Sequence, residues 1–194
     1  MDACMSLSRE LATRVRESGF SPTLVVGIRE GGAFPAVAVA RELGAQVEFI
    51  LVQRAQSGFR HSRLGRLAAR LLAAPYKRWY WVRLLAEAAN RRGGHKLASI
   101  PTDGRIRGQR ILVFDDFSAS GRTLQRAAEA LNAQGAAAIK TAVLTFLPGS
   151  ERTPYPPDLS ACQRWLTFSW STDSPHYPAF QRWMREQSAA TGPR

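Results

Sequence analysis

The sequence predicts an α/β fold, a parallel sheet flanked by helices, and three observations support this prediction. Short apolar runs alternate with amphipathic segments along most of the chain. A glycine-rich turn follows the first apolar run, and a pair of aspartates with a loop of small residues follows a later one. With 194 residues and 45% hydrophobic composition, the chain is long enough to bury the core of one domain. We therefore expect a single domain over residues 1–194.

The first half of the chain alternates helix and strand. Apolar side chains at helical spacing predict a helix that ends at Gly19, and a short apolar run predicts a buried strand after it. A second helix, closed by Gly44, leads to a second strand. The four elements are predicted over 5–19, 23–27, 35–43 and 47–52. A helix between two strands is typical of a parallel βαβ unit.

The second half resumes the same alternation after an interruption. Apolar runs predict strands over 110–114 and 138–147, with a helix over 123–134 between them. A proline-rich loop follows at 154–157. We expect a last strand over 164–170 and a C-terminal helix over 178–187.

The interruption is a basic insert over about 54–104, with an amphipathic helical pattern over 60–92. Between Arg54 and Lys96 the chain has 11 basic residues and one acid, and this block accounts for most of the net charge of +12. Basic residues interleaved with aromatic ones suit phosphate-rich partners, either nucleic acid or a phosphorylated substrate. Alternatively, the aromatic rings pack the insert onto the core and the arginines are solvated. The candidate nucleic-acid contacts are Arg63, Arg66, Arg70, Lys77 and Arg78.

The strongest functional signal lies at Ile111–Leu124, where an apolar strand ends in Asp115 and Asp116 and a loop of small residues follows. Ligands bind at the carboxyl ends of the strands in open α/β sheets. Backbone N–H groups of such a loop, with the following helix N-terminus, can surround a phosphate. The paired carboxylates can accept hydrogen bonds from ribose hydroxyls or hold a hydrated Mg²⁺. The pattern therefore predicts a phosphorylated sugar as ligand; the candidate loop residues are Ser118, Ala119, Ser120, Gly121, Arg122 and Thr123.

This segment resembles the phosphoribosyl pyrophosphate (PRPP) motif of the type I phosphoribosyltransferases, with Ser120 in place of the usual threonine. The resemblance implies a Rossmann-like parallel sheet covered by a hood, here the basic helical insert. It also implies that Asp115 and Asp116 act on the ribose hydroxyls and on Mg²⁺ through water, and that 119–123 bind the 5′-phosphate. The alternative reading is a solvated acidic turn before an ordinary helix.

A second segment, Val26–Pro35, is similar to the pyrophosphate loop of the same family. Arg29, Glu30, Gly31 and Gly32 form its centre, and Arg54 follows the second strand. The resemblance implies that these five residues bind pyrophosphate, although Glu30 stands where many members carry arginine. Without the resemblance, the paired glycines indicate a tight turn between a strand and a helix.

The aromatic run over 165–170 resembles the strand end that lines the base pocket in purine-type members. It implies that Phe168 and Trp170 bind the base, whereas core packing is the alternative for at least one of them. Ala119 stands where 6-oxopurine members carry an aspartate. In having a small residue here, the chain resembles the adenine and uracil members instead.

The resemblance implies a transferase that moves ribose 5-phosphate from PRPP to a nitrogen nucleophile such as a nucleobase, with release of pyrophosphate. The alternative is a regulator or defence-system effector of the same fold that binds nucleic acid through 54–96, with weak or no transferase activity. A third reading is a salvage enzyme whose insert makes subunit contacts, since homodimers are common in the family.

The remaining composition narrows the setting of the protein. Cys4 and Cys162 are far apart and predict neither a disulfide framework nor a metal site. No signal-peptide pattern or membrane-spanning apolar run is present in the sequence. We therefore expect a soluble, cytoplasmic protein without a membrane partner.

Overall fold

The computed structural model describes residues 2–29, 31–54, 95–99, 104–146, 155–164, 166–171 and 174–182. Its helices are α1 (Asp2–Glu17), α2 (Ala33–Leu43) and α3 (Arg122–Ala133), and a short helical stretch covers 177–182. Its strands are β1 (Leu24–Ile28), β2 (Gln46–Arg54), β3 (His95–Ser99), β4 (Arg110–Ser118), β5 (Ala138–Phe146) and β6 (Leu159–Cys162).

The six strands form one sheet in the order β3-β2-β1-β4-β5-β6. Five of them are parallel, and β3 pairs antiparallel with β2 at one edge. The predicted α/β fold with a parallel sheet is therefore confirmed. The strand order reverses between β1 and β4, which places a topological switch point there, and ligands of open α/β sheets bind beside such a point.

Alternation along the central strands separates two apolar cores. Leu112 and Phe114 of β4 face the layer that α1 and α2 form, where Leu11 is fully buried. Ile111 and Val113 face the opposite layer, together with the apolar side of α3. Because successive side chains of a strand point to opposite faces, a strand covered on both sides must be apolar throughout. All five residues of β1 are buried, as this arrangement requires.

The predicted strand over 164–170 is wrong, since the described part of that segment forms no ladder. β6 occupies the edge of β5 instead, and Thr145 pairs with Cys162. The chain then crosses the end of the sheet, where the hydroxyl of Thr145 donates to the carbonyl of Arg164. Phe168 and Trp170, which were predicted to lie in that strand, pack there against each other, and Trp170 also packs against Phe34 and Phe180.

Two further differences affect the site. β4 continues to Ser118 because it pairs with β5 as far as Phe146, so the two aspartates lie within the strand rather than beyond it. β3 was not predicted, whereas the helical pattern predicted over 60–92 lies outside the described residues. None of the helices in the part of the chain that the structure describes has the length and hydropathy of a membrane span.

Truncation of Leu11 tests the packing of α1 on the sheet. Leu11 is fully buried in the core that contains Leu112 and Phe114. We expect Leu11→Ala to lower the free energy of unfolding by about 2–5 kcal/mol, measured by urea denaturation. Val37→Ala, at an exposed apolar position of α2, serves as the control and should change it by less than about 0.5 kcal/mol. Equal effects of the two substitutions would contradict this packing.

Candidate active site

The paired aspartates lie at the carboxyl end of β4, beside β1 at the switch point. Asp115 and Asp116 are both partly buried. The carboxylate of Asp115 accepts a hydrogen bond of 2.9 Å from the backbone N–H of Asp116. Neighbouring residues of a strand normally point to opposite faces, but at the end of β4 the two carboxyl groups are close enough to share a hydrogen bond.

The glycine pair after β1 packs directly against these acids. A Cβ atom at Gly31 would overlap the carboxylate of Asp116. A Cβ atom at Gly32 would lie 2.8 Å from the carbonyl oxygen of Ile28 and 3.0 Å from the Cα of Asp115. Both distances are too short for a side chain, so the turn reaches the aspartates only because neither residue has one. The two sequence motifs therefore form one site.

A loop suited to anions joins β4 to α3. Ser118 is buried, and its hydroxyl accepts a hydrogen bond of 3.0 Å from the backbone N–H of Gly121. Gly121 has a φ of 70° and is the N-cap of α3. Unsatisfied N–H groups at a helix N-terminus and the helix dipole together favour a phosphate at this position. Ala119 is buried, whereas Ser120, Arg122 and Thr123 are partly exposed.

Tyr155, from outside the loop, limits the conformation of Gly121. The carbonyl oxygen of Tyr155 occupies the space that a Cβ atom of Gly121 would require. Glycine is thus needed at position 121 both for its positive φ and for this backbone contact. No sequence pattern pointed to Tyr155, because the contact uses its main chain.

Asp116 has a partner that the sequence did not predict. The indole Nε1 of Trp170 donates a 2.5 Å hydrogen bond to Oδ2 of Asp116. Burial raises the pKa of Asp116 above its ordinary value, and its hydrogen bonds with the Trp170 indole, with the Asp115 side chain and with the backbone oppose part of that rise. The carboxylate is therefore partly withdrawn from water and held by specific donors.

Trp170 also belongs to an aromatic cluster made of Phe34, Phe168, Trp170 and Phe180. The Phe168 and Trp170 rings are stacked, with centroids 4.7 Å apart and planes at 4°. Phe34 lies 5.7 Å and Phe180 6.1 Å from the Trp170 centroid, both tilted. The structure brings Phe168 and Trp170 together, and Phe168 is buried in the apolar core, so the base-binding role of the two residues stays a prediction. Phe34 and Phe180 were missed, although Phe34 is only two residues after Gly32.

A cavity of about 310 Å³ lies on the α1 side of this cluster. Neither aspartate lines it, but Trp170 does and also donates to Asp116, so the cavity lies one side chain away from the paired acids. A cavity of this volume is at the lower end of the range for small-molecule sites. Its apolar lining is Leu7, Phe34, Leu166, Phe168, Trp170 and Phe180, with Glu10 and Arg164 among the polar residues.

The remaining predicted site residues are only partly described. Arg29 is exposed just after β1, and its backbone N–H donates to the carbonyl of Ile50 at 2.8 Å. Arg54 ends β2 opposite His95 of β3. Glu30 and the candidate nucleic-acid contacts, Arg63, Arg66, Arg70, Lys77 and Arg78, lie outside the described residues.

The aspartates fit the requirements of Mg²⁺, which prefers oxygen ligands and usually keeps several waters. Among the described residues, no group of three or more histidines, cysteines or acids is placed to hold a metal ion. Mg²⁺ that is shared with substrate phosphates needs one or two protein carboxylates. Asp115 and Asp116 offer two such carboxylates at the sheet edge, next to the loop after β4.

Fold and geometry together define a Rossmann-like α/β protein in which the loop after β4 lies at the switch point of the sheet. A family model described as a phosphoribosyl transferase domain matches residues 2–177. The chain therefore belongs to the phosphoribosyl transferase domain family, and it is an enzyme of the phosphoribosyltransferase type. No curated protein matches the chain by sequence.

Solved structures from three organisms share this fold. The Pyrococcus horikoshii purine phosphoribosyltransferase has a TM-score of 0.60 and 23% identity, covering 90% of this chain and 93% of its own. A hypothetical protein from Neisseria gonorrhoeae with bound ppGpp has a TM-score of 0.64 and 16% identity, with 94% and 91% covered. The Helicobacter pylori xanthine-guanine-hypoxanthine phosphoribosyltransferase has a TM-score of 0.57 and 17% identity, with 91% and 92% covered. Likeness at these identities establishes the fold.

Replacing Gly121 tests the backbone contact with Tyr155. Gly44 has a similar φ of 65° at the end of α2, but a Cβ atom there would meet nothing within 4 Å. We expect Gly44→Ala to lower the free energy of unfolding by about 1–3 kcal/mol, because of the positive φ alone. Gly121→Ala should cost a further ~1–3 kcal/mol, because the Tyr155 carbonyl must move. Equal losses in urea denaturation would show that Tyr155 does not constrain the loop.

Replacing Asp116 tests its raised pKa. The folded state binds the proton of the Asp116 carboxyl group more tightly than the unfolded state does. The free energy of unfolding of the metal-free protein therefore falls as the pH rises from the pKa of Asp116 in the unfolded state to its pKa in the folded state. Asp116→Asn removes this cost and keeps an acceptor for Trp170, so we expect its urea midpoint at neutral pH to exceed that of the wild type. The difference should shrink toward about pH 4. Glu129→Gln, at an exposed position on α3, controls for charge, and a pH-independent difference would contradict the assignment.

Proposed function

We propose that the protein transfers the ribose 5-phosphate of PRPP to a nitrogen nucleophile, most simply a nucleobase, and releases pyrophosphate. The observation that carries this proposal is the contact between the Gly31–Gly32 turn and the Asp115–Asp116 pair. That contact supports the proposal because it brings the Gly31–Gly32 turn and the Asp115–Asp116 pair together at one sheet edge, beside the loop after β4. PRPP carries its three corresponding parts, pyrophosphate, ribose and 5′-phosphate, in the same order.

The 5′-phosphate is assigned to the loop from Ser118 to Thr123. Its donors are backbone N–H groups at the N-terminus of α3, and the hydroxyls of Ser120 and Thr123 add to them. The hydroxyl of Ser118 already accepts from the Gly121 N–H and is buried. Its role is therefore to shape the loop, and the exposed part of the loop binds the phosphate.

The pyrophosphate is assigned to the turn after β1, with Arg29 and Arg54 as the nearby cations. Glycines at 31 and 32 let the backbone approach the ligand as closely as it approaches the aspartates. Glu30 belongs to the same proposed loop. Mg²⁺, held through water by Asp115 and Asp116, would neutralise charge on the pyrophosphate when it is bound.

The ribose is assigned to Asp115 and Asp116, whose carboxylates accept hydrogen bonds from its hydroxyls. Loss of pyrophosphate from C1 builds positive charge on the sugar, which nearby carboxylates stabilise. Most of the catalytic effect in this scheme comes from orientation and electrostatics, since no covalent intermediate with the protein is needed. Asp115 and Asp116 thereby serve both binding and catalysis.

The acceptor is assigned to the cavity beside Phe168 and Trp170. Its aromatic and aliphatic walls suit a planar heterocycle. Ala119 is buried and carries no acid that would select a 6-oxopurine. Two of the similar structures are purine enzymes by name, so an acceptor screen should contain adenine and uracil beside the 6-oxopurines.

Nucleic-acid binding through 54–96 is the second candidate function. The observation in its favour is the excess of basic residues in that block, 11 against one acid. Such binding would weaken steeply with added salt and would depend on Arg63, Arg66 and Arg70. Both functions are compatible with one domain, a cytoplasmic setting and a homodimer, all of which belong to this proposal.

The double substitution Asp115→Asn/Asp116→Asn tests the proposed ribose site. Each hydrogen bond to a charged group contributes about 1.5–3 kcal/mol, so losing two charges should weaken PRPP binding about 100-fold or more. Calorimetric titration of PRPP with Mg²⁺ measures this loss directly. The charge-matched control is Glu42→Gln/Glu129→Gln on α2 and α3, which should bind PRPP as the wild type does.

Pyrophosphate release across a panel of nucleobases, in the same preparations, separates the two candidate functions. Release that depends on one base identifies the acceptor. PRPP binding without release for any base would favour a binding protein over a transferase. Unchanged binding in the aspartate variant would show that the ribose lies elsewhere.

A further inference from the structure

Trp170 lies in two environments at once. Its ring is stacked on Phe168 and tilted against Phe34 and Phe180, within the aromatic cluster. Its Nε1 points out of that cluster and donates to Oδ2 of Asp116, 2.5 Å away. An indole has one N–H donor and no acceptor. Trp170 therefore contributes a single directed bond, and that bond ends on a carboxylate of the proposed ribose site.

The stacked ring makes this bond directional. Phe168 is buried and covers one face of the indole, with the two planes at 4°. Phe34 and Phe180 approach from other sides at 5.7 and 6.1 Å. A ring confined in this way cannot turn its N–H elsewhere without displacing its neighbours. The position of Nε1 is thus determined by packing, before any ligand binds.

The carboxylate of Asp116 is confined on another side by the main chain. Both of its oxygens lie close to the point where a Cβ atom of Gly31 would stand. The side-chain torsion that turns an aspartate carboxylate is normally broad. Contact with Gly31 and the hydrogen bond from Trp170 together restrict the range of this torsion for Asp116. Asp115 and the backbone at Phe117 are the other groups that bond with it.

We infer that Trp170 is a positioning residue, whose indole N–H holds the Asp116 carboxylate in the orientation that receives the ribose of PRPP. This inference rests on the proposed function, because it assigns Asp116 to the ribose. It differs from the role of Trp170 as a wall of the acceptor cavity. A cavity wall affects binding of the acceptor, whereas a positioning residue affects PRPP even when no acceptor is present.

Trp170→Phe separates these two roles because phenylalanine keeps an aromatic ring and lacks the N–H. We expect PRPP with Mg²⁺, titrated without acceptor, to bind the variant roughly tenfold more weakly, as for loss of one hydrogen bond to a charged group. In steady-state turnover the KM for PRPP should rise by a similar factor. The KM for the acceptor should change by less than about twofold, since stacking is largely kept.

Phe20→Leu is the matched control. It removes a partly buried aromatic ring from the same core but leaves Trp170, its neighbouring rings and the hydrogen bond to Asp116 in place, so we expect its affinity for PRPP to stay within about twofold of the wild type. Replacement of Trp170 by benzothienylalanine gives a second variant in case phenylalanine disturbs the cluster. Sulfur replaces the N–H in a ring of nearly the same shape, so packing is retained and the donor is lost. Thermal unfolding of each variant shows that the fold is intact.

Each outcome decides the matter. Weaker PRPP binding in both donor-free variants, with Phe20→Leu near the wild type, supports the positioning role. Unchanged PRPP affinity in the benzothienylalanine variant overturns it, as does a rise confined to the acceptor KM. An equal loss of PRPP affinity in Phe20→Leu also overturns it, because the effect would then come from loss of any aromatic ring of the core. If the wild-type protein itself does not bind PRPP, the proposed function fails first and the inference falls with it.

Discussion

Close approach of two backbones at the switch point is the constraint on which the rest of the site depends. β1 and β4 are neighbours in the sheet, and the turn after β1 fits against the end of β4 only because positions 31 and 32 carry no side chain. The sheet determines the distance between the ends of β1 and β4. Glycine at positions 31 and 32 lets the turn after β1 fit within that distance, because a Cβ atom at either position would collide with Asp115 or Asp116. Any larger residue must displace either the aspartates or the main chain.

This approach has an electrostatic consequence for Asp116. A carboxylate placed between a glycine turn and an aromatic cluster loses contact with water, and its pKa rises. The donors around it compensate only part of this cost. Such an incompletely compensated charge is common at ligand sites, because a carboxylate whose hydrogen bonds are all made within the protein contributes little binding free energy to a ligand. The unliganded fold accordingly gives up some stability at the position where ribose is proposed to bind.

Local patterns were sufficient to predict the elements that meet at this edge. The aspartates, the loop after them and the glycine pair each follow an apolar strand, and parallel strands present their carboxyl ends at one edge. Contacts between distant parts of the chain could not be predicted in this way. Trp170 is 54 positions from Asp116 in the sequence, and it was predicted to lie in a strand together with Phe168. The contact of Tyr155 with Gly121 uses a main-chain carbonyl, which leaves no mark on residue type.

The loop after β4 shows why the motif alone does not specify its own geometry. Two contacts constrain Gly121 in its positive φ. Its N–H donates to the Ser118 hydroxyl, and the Tyr155 carbonyl oxygen occupies the space where a Cβ atom would stand. One of these groups belongs to the motif, and the other arrives from the segment before β6. Because the proposed phosphate site relies on the direction of backbone N–H groups, a small rotation at Gly121 would turn these donors away from the ligand. The affinity proposed for the loop therefore depends on the position of the Tyr155 carbonyl as well as on the residues of the loop.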